Sequence, residues 1–155
     1  MPTRLTIKKS KPKGLGDVPR TLLTLAALTL CTPALAATHE ALPSGVVVTH
    51  LAQGNGEAPK ADSTVKVHYR GTLTDGSEFD SSYRRKAPIS FALNQVIPCW
   101  TQGVQRMQVG GKAKLTCPAT TAYGARGVPG LIPPDSVLIF EVELLAIEKP
   151  WFGLF

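Results

Sequence analysis

The sequence lacks an uninterrupted apolar stretch of the roughly 20 residues that a membrane-spanning helix requires. Its main apolar run, Leu22–Leu30, is much shorter and follows a basic N-terminal region. The run leads to Ala34-Leu35-Ala36, a small-x-small pattern typical of signal-peptide cleavage. These features predict a signal peptide at residues 1–36 and cleavage near Ala36. The mature protein is then periplasmic or secreted, with no stable membrane anchor.

Beyond residue 36 the sequence also lacks an excess of basic charge. The whole chain carries 17 Lys and Arg against 11 Asp and Glu, but residues 1–36 hold six of the bases and only one of the acids. The remainder therefore contains 11 bases and 10 acids. A nearly neutral domain has no basic footprint for nucleic acid, so we predict no nucleic-acid partner.

Cysteine is scarce, with only Cys31, Cys99 and Cys117 present. Lipid attachment at Cys31 is the less favoured alternative to simple cleavage, because Leu30 stands where lipoprotein signals normally place a small residue. In an oxidising compartment, Cys99 and Cys117 either form a disulfide or stay as buried thiols. No histidine lies near either one in sequence to activate it, which argues against a catalytic thiol.

Alternating apolar and polar residues are typical of half-buried β-strands. The clearest case places Val65, Val67 and Tyr69 on one face, and Asp75-Gly76 after it predicts a tight hairpin. The predicted strands are Val46–Thr49, Val65–Leu73, Glu78–Asp80, Ile89–Leu93, Lys112–Cys117 and Val137–Leu145. Residues 37–43 show no pattern, and we expect them to form a flexible N-terminal segment.

One short helix is predicted from Pro98, since proline suits the first turn of a helix. Trp100, Val104 and Met107 then recur at i, i+4 and i+7, which gives an apolar stripe that must pack on the sheet. The sequence therefore predicts an α+β domain, an antiparallel sheet of five to six strands wrapped around one short helix, at residues 44–148. Residues 149–155 form a C-terminal tail.

A long connection at residues 120–136 is rich in Gly and Pro, and its Tyr123 and apolar residues favour an ordered loop. The inward aromatic residues outnumber what a sheet–helix seam of this size needs. We therefore expect some of them to line a cavity.

Four stretches in this order resemble the signature of FKBP-type peptidyl-prolyl cis-trans isomerases, in particular an exported, single-domain bacterial member. They are Val67–Ser82, Val96–Trp100, Ala122–Pro134 and Phe140–Leu145. The resemblance implies an FKBP-like fold with an apolar pocket that admits a proline ring. It also implies proline-containing polypeptide substrates, macrolide inhibitors of the rapamycin type, and neither cofactor nor metal; separately, we expect a monomer.

The resemblance also implies roles for particular residues. The implied catalytic residues are Tyr69, Phe79, Asp80, Trp100, Tyr123 and Phe140. The implied substrate-binding residues are Arg85, Ile89, Val96, Ile97, Leu131 and Ile132. Trp100 would form the pocket floor, and the Tyr123 hydroxyl and Ile97 amide would donate to substrate carbonyls. The sequence departs from the family at Ile89, often aromatic there, and at Cys99, commonly glycine.

The implied activity is rotation about Xaa-Pro bonds in exported proteins, through desolvation and binding of the twisted amide rather than acid–base catalysis. The alternative function is a periplasmic holdase-type chaperone with incidental isomerase activity. Only about eight residues separate the predicted cleavage site from the first predicted strand. We take that distance as too short for the helical dimerising segment of larger relatives, and therefore favour the enzyme.

Overall fold

The computed structural model describes residues 37–149, which form seven β-strands, one α-helix and three short 3₁₀ turns. The strands are β1 (Thr38–Ala41), β2 (Val47–Ala52), β3 (Thr64–Leu73), β4 (Glu78–Ser81), β5 (Ile89–Ala92), β6 (Lys112–Cys117) and β7 (Leu138–Glu148). The helix is α1 (Pro98–Val104). The 3₁₀ turns are Leu93–Gln95, Ala119–Thr121 and Gly124–Arg126. The predicted fold class is confirmed, with an antiparallel sheet and one short helix.

The strands form one antiparallel sheet in the order β1-β2-β6-β7-β3-β4, and β5 also pairs with β3. The two longest strands, β3 and β7, lie side by side near the middle of this order. On β3, Val65, Val67 and Tyr69 are buried, as the alternation predicts, while Lys66 and Arg70 are exposed. One face of the sheet therefore carries the core, and the other meets solvent.

The N-terminal segment differs from the prediction. Residues 37–43 lack an apolar pattern, yet Thr38–Ala41 form β1 and pair with Val47–His50 of β2. The turn between the strands is closed by the Leu42 amide, which donates to the Val46 carbonyl at 2.8 Å. Backbone pairing at a sheet edge needs no side-chain alternation, which is why this strand has no periodic signature in the sequence.

Helix α1 begins at Pro98, as predicted, and its apolar stripe faces the sheet. Trp100, Val104 and Met107 are all buried, although Met107 lies beyond the last helical residue. Gly103 allows a close approach to β6, since a Cβ at this position would lie only 2.8 Å from the nearest Leu115 side-chain atom. The helix therefore lies directly against the inner face of the sheet.

Cys99 and Cys117 form a disulfide, with their Cα atoms 5.6 Å apart. Both residues are fully buried. The bridge joins the first turn of α1 to the end of β6, so it ties the helix covalently to the sheet. Of the two alternatives that the sequence leaves open, the structure has the disulfide.

The predicted signal peptide, including Cys31 and the cleavage site at Ala36, lies outside the described residues, as do tail residues 150–155. Within residues 37–149, no helix has the length and apolar character needed to cross a bilayer.

Candidate active site

A cavity of about 580 Å³ opens between the inner face of the sheet and the N-terminal end of α1. Its lining is Tyr69, Phe79, Asp80, Arg85, Ile89, Phe91, Gln95, Val96, Ile97, Trp100, Tyr123 and Phe140. Two smaller cavities in the described part of the chain, of about 310 and 420 Å³, have no aromatic lining residue. The large cavity is therefore where an apolar ring would be held best.

Trp100 forms the floor of this cavity. Only 4% of its surface is exposed, yet it belongs to the lining, so the cavity reaches down to the indole. Three rings meet the indole edge to face: Tyr69 at 5.3 Å, Phe91 at 5.4 Å and Phe140 at 5.5 Å between ring centroids. This geometry is favourable for aromatic pairs and holds the indole in one orientation.

The apolar wall on the β4 side is made by Phe79, which packs edge to face on Phe140 with 5.5 Å between centroids. Gly71 of β3 lies directly behind both rings, because a Cβ there would come within 2.6 Å of Phe79 and 3.0 Å of Phe140. The missing side chain of Gly71 is therefore what lets the two rings sit where they do.

Three polar side chains form a hydrogen-bonded group at the rim. The Tyr69 hydroxyl donates to one carboxylate oxygen of Asp80. Arg85 donates to the other Asp80 oxygen at 2.5 Å and to the Tyr69 oxygen at 2.8 Å. The Ser81 amide also donates to Asp80, at 2.8 Å. The Asp80 carboxylate is thereby held by three different residues.

These contacts determine the charge state of the rim. Burial acts to raise the pKa of the Asp80 carboxyl, but hydrogen bonds from Tyr69 and Arg85, together with the Arg85 charge, outweigh it and lower that pKa below its ordinary value. The pKa of Tyr69 is raised, first by burial and then by the hydrogen bond to Asp80. At neutral pH the group is therefore a carboxylate, a neutral phenol and a guanidinium. The Asp80 carboxylate oxygens already accept hydrogen bonds within this group, and the carboxylate is therefore poorly suited to exchanging a proton with a substrate.

All six residues that the resemblance implies as catalytic line this one cavity, and so do Arg85, Ile89, Val96 and Ile97. Leu131 and Ile132 do not. Ile132 is buried in the core at 4% exposure, whereas Leu131 is 50% exposed. The reason is the tight turn closed by the bridge between Val128 and Ile132, which directs these two neighbouring side chains to opposite sides.

Phe91 and Gln95 also line the cavity, although neither is among the predicted site residues. Phe91 carries a usable signal, because it alternates with Ile89 on a predicted strand and so shares its face. Gln95 lies in the 3₁₀ turn after β5, and nothing in the local sequence marks it as a lining residue.

An antiparallel sheet around one short helix, with an aromatic cavity at the helix start, defines an FKBP-like domain. The family model of the FKBP-type peptidyl-prolyl cis-trans isomerases matches residues 55–145. The chain belongs to this family.

Relatives of two kinds are similar to this chain. The FKBP-type peptidyl-prolyl cis-trans isomerase FkpA of Aeromonas hydrophila is 61% identical over 97 residues, which cover 63% of this chain and 36% of FkpA. The peptidyl-prolyl cis-trans isomerase Fkbp12 of Drosophila melanogaster is 50% identical over 107 residues, covering 67% of this chain and 99% of the relative. The matched region is thus about a third of the first relative and nearly all of the second.

Solved structures agree with this assignment. The crystal structure of FkpA from Escherichia coli has a TM-score of 0.70 and 49% identity, covering 75% of this chain and 54% of that one. The peptidyl-prolyl cis-trans isomerase from Pseudomonas syringae has a TM-score of 0.68 and 40% identity, covering 72% and 81% respectively.

Proposed function

We propose that the protein catalyses cis–trans isomerisation of Xaa-Pro bonds in polypeptide substrates, with the proline ring held in the aromatic cavity. The observation that carries the proposal is the cavity of about 580 Å³ whose floor is the Trp100 indole. Its apolar walls exclude water from one face of a bound ring, and its rim carries polar groups that can orient the peptide.

The barrier to rotation is about 18–20 kcal/mol, because amide resonance must be broken. Water stabilises the planar, polar amide more than the twisted one, so moving the bond into an apolar cavity lowers the barrier. A millionfold acceleration corresponds to roughly 8 kcal/mol. We assign it to desolvation and to tighter binding of the twisted amide, with the Tyr123 hydroxyl and the Ile97 amide donating to substrate carbonyls.

In this mechanism Asp80 is a positioning residue, since its carboxylate is engaged by Tyr69 and Arg85. Trp100, Phe79, Phe140 and Tyr69 form the surface that contacts the ring, with Ile89 and Val96 at the side. The exposed Leu131 lies on the loop that follows Tyr123 and contacts substrate residues outside the ring pocket. Ile132 supports this loop from the core.

We further propose that residues 1–36 direct export, and that the domain acts as a monomer on exported chains in the periplasm or outside the cell. A macrolide of the rapamycin type would compete for the cavity. The matched region spans only 36% of the Aeromonas relative, so the proposed activity and partners of this chain rest on the geometry of its own cavity.

The test is a chromogenic Xaa-Pro peptide assay together with proline-limited refolding, each run with and without the macrolide. We expect acceleration that the macrolide abolishes and that Phe79→Ala reduces. Leu51→Ala, at an exposed apolar residue of β2 away from the cavity, is the matched control and should leave the rate unchanged. A protein that suppresses aggregation with the cavity occupied, and does not accelerate rotation, would instead be a holdase.

A further inference from the structure

The β4–β5 connection runs between two cavity-lining residues, Asp80 and Ile89, and carries three consecutive cations, Arg84, Arg85 and Lys86. Arg85 itself lines the cavity. The two cations on either side of it, Arg84 and Lys86, are here named the basic rim. Outside residues 1–36 the chain carries 11 bases and 10 acids, so three adjacent cations are a local concentration of charge.

Asp80 and Glu78 of β4, the two acids that contact the arginines of this connection, are already paired. Asp80 is engaged by Arg85 at 2.5 Å. Glu78 is held by Arg70 at 2.9 Å, and Arg84 reaches it only at 3.7 Å. The Arg84 side chain is 61% exposed. Within residues 37–149, Lys86 makes no ion pair. The basic rim therefore has positive charge to offer a ligand.

The segment that carries these cations is firmly held. The Lys86 amide donates to the Tyr83 carbonyl at 3.0 Å, which closes a turn. The Tyr83 ring stacks on His68 at 4.7 Å, and its hydroxyl donates to Glu143 at 3.1 Å. Lys86 adopts a φ of 55°, a left-handed conformation that a non-glycine residue occupies at some cost. The cations are thus presented from an anchored turn at the cavity mouth.

We propose that the basic rim gives the enzyme a preference for polypeptides with Asp or Glu two residues before or two residues after the proline. The inference rests on the proposed isomerase function and names its substrate class more closely. An extended chain advances about 3.3–3.6 Å per residue, so two residues span roughly the reach of an Arg or Lys side chain. We therefore expect an acidic side chain at that distance from a ring in the cavity to lie within reach of Arg84 or Lys86, the neighbours of the cavity-lining Arg85.

The expected size of the preference follows from Coulomb attraction in water. For charges about 7 Å apart, each cation contributes roughly a threefold gain in kcat/KM at low ionic strength. Such pairs are largely screened when the Debye length falls to about 3 Å in 1 M salt. A preference that comes from the basic rim must therefore disappear in concentrated salt.

The experiment uses chromogenic peptides that share a Leu-Pro core and carry Glu, Gln or Lys two residues before or two residues after the proline. The variant is Arg84→Gln/Lys86→Gln. The control, Lys60→Gln/Lys149→Gln, removes the same charge from residues that line a different cavity, which shares no residue with the aromatic one.

For the wild type we expect roughly three- to tenfold higher kcat/KM for a Glu peptide than for the Gln peptide at low salt, and equal values in about 1 M salt. Arg84→Gln/Lys86→Gln should lose the preference for the Glu peptide and keep the wild-type rate on the Gln peptide. The control, Lys60→Gln/Lys149→Gln, should keep both the preference and the rate. Equal rates on Glu and Gln peptides at low salt, or a preference that survives in the rim variant, would overturn the inference. Failure on every peptide would instead reject the isomerase function. A further contrary result would be that single-stranded DNA inhibits turnover of the Gln peptide in the wild type but not in Arg84→Gln/Lys86→Gln. That result would identify the basic rim as a nucleic-acid site and would also overturn the inference.

Discussion

Gly71→Ala tests whether the positions of Phe79 and Phe140 define the cavity. Gly71 is buried on β3, and its φ is not positive, so the backbone itself accepts alanine. The added Cβ would lie 2.6 Å from the Phe79 ring and 3.0 Å from Phe140, where ordinary contact begins near 3.4 Å. One methyl group thus pushes on two walls of the cavity without touching a polar group.

The size of the effect can be worked from these distances. The Phe79 ring must retreat by about 1 Å, and overpacking of this kind costs about 1–3 kcal/mol of stability. Alanine recovers about 0.4–1 kcal/mol by restricting the unfolded chain, so a net loss of about 1–2 kcal/mol is expected. A displacement of about 1 Å in an active site can lower the reaction rate up to about a hundredfold, so we expect kcat/KM to fall at least about tenfold.

Gly76→Ala is the matched control. Gly76 has a φ of 87° and nothing within 4 Å of the added Cβ, so alanine there costs about 1–2 kcal/mol through the backbone alone. Urea unfolding and the chromogenic peptide assay should show similar destabilisation in both variants but lost activity only in Gly71→Ala. Replacing Phe79 by Leu in the Gly71→Ala background should recover part of the lost stability. Wild-type kcat/KM in Gly71→Ala, or an equal loss in Gly76→Ala, would show that the space left by Gly71 does not determine the shape of the cavity.

Three further predictions concern the cavity wall, the rim and the disulfide. Phe79→Ala should lower kcat/KM by roughly ten- to hundredfold, because apolar contact with the substrate is lost. Asp80→Asn should lower kcat/KM by less than about tenfold. A loss of about a hundredfold or more in Asp80→Asn, with a rate that follows one ionisation between about pH 6 and 8, would indicate acid–base catalysis instead. Because the folded-state pKa of Asp80 is lowered, its stabilising contribution is present above the unfolded value near 3.8 and lost as the pH falls through the folded value. The stability difference between wild type and Asp80→Asn, measured by urea unfolding, should therefore shrink below about pH 4, and a constant difference would contradict this sign. Cys99→Ala/Cys117→Ala removes a link across 18 positions and should lower the unfolding free energy by about 3 kcal/mol, which reduction of the wild type should reproduce.

Periodicity in the sequence was enough to locate most of the fold. The alternation on Val65, Val67 and Tyr69 is visible because one face of β3 is buried and the other is wet, and Pro98 marks the start of α1 for a stereochemical reason. The strand at Thr38–Ala41 could not be found in this way, since its partner supplies backbone hydrogen bonds rather than a buried face.

Site residues that belong to recognisable motifs could be predicted from the sequence. Residues that line the cavity only because of the local backbone conformation could not. Trp100, Phe79 and Tyr123 lie in motifs and line the cavity. Gln95 lines the cavity only because a 3₁₀ turn places it there. Leu131 does not line the cavity, because a local turn directs its side chain towards solvent. Neither effect has a signature in residue type.

The disulfide has a consequence for how the protein matures. Cys99 directly precedes the residue at the base of the cavity, and its bond to Cys117 can form only after an oxidant has accepted two electrons from the pair of thiols. A newly made chain is therefore without this cross-link. A protein proposed to act on other polypeptides is thus itself a substrate of thiol oxidation, and the fraction of its molecules that carry the cross-link depends on the oxidants available to them.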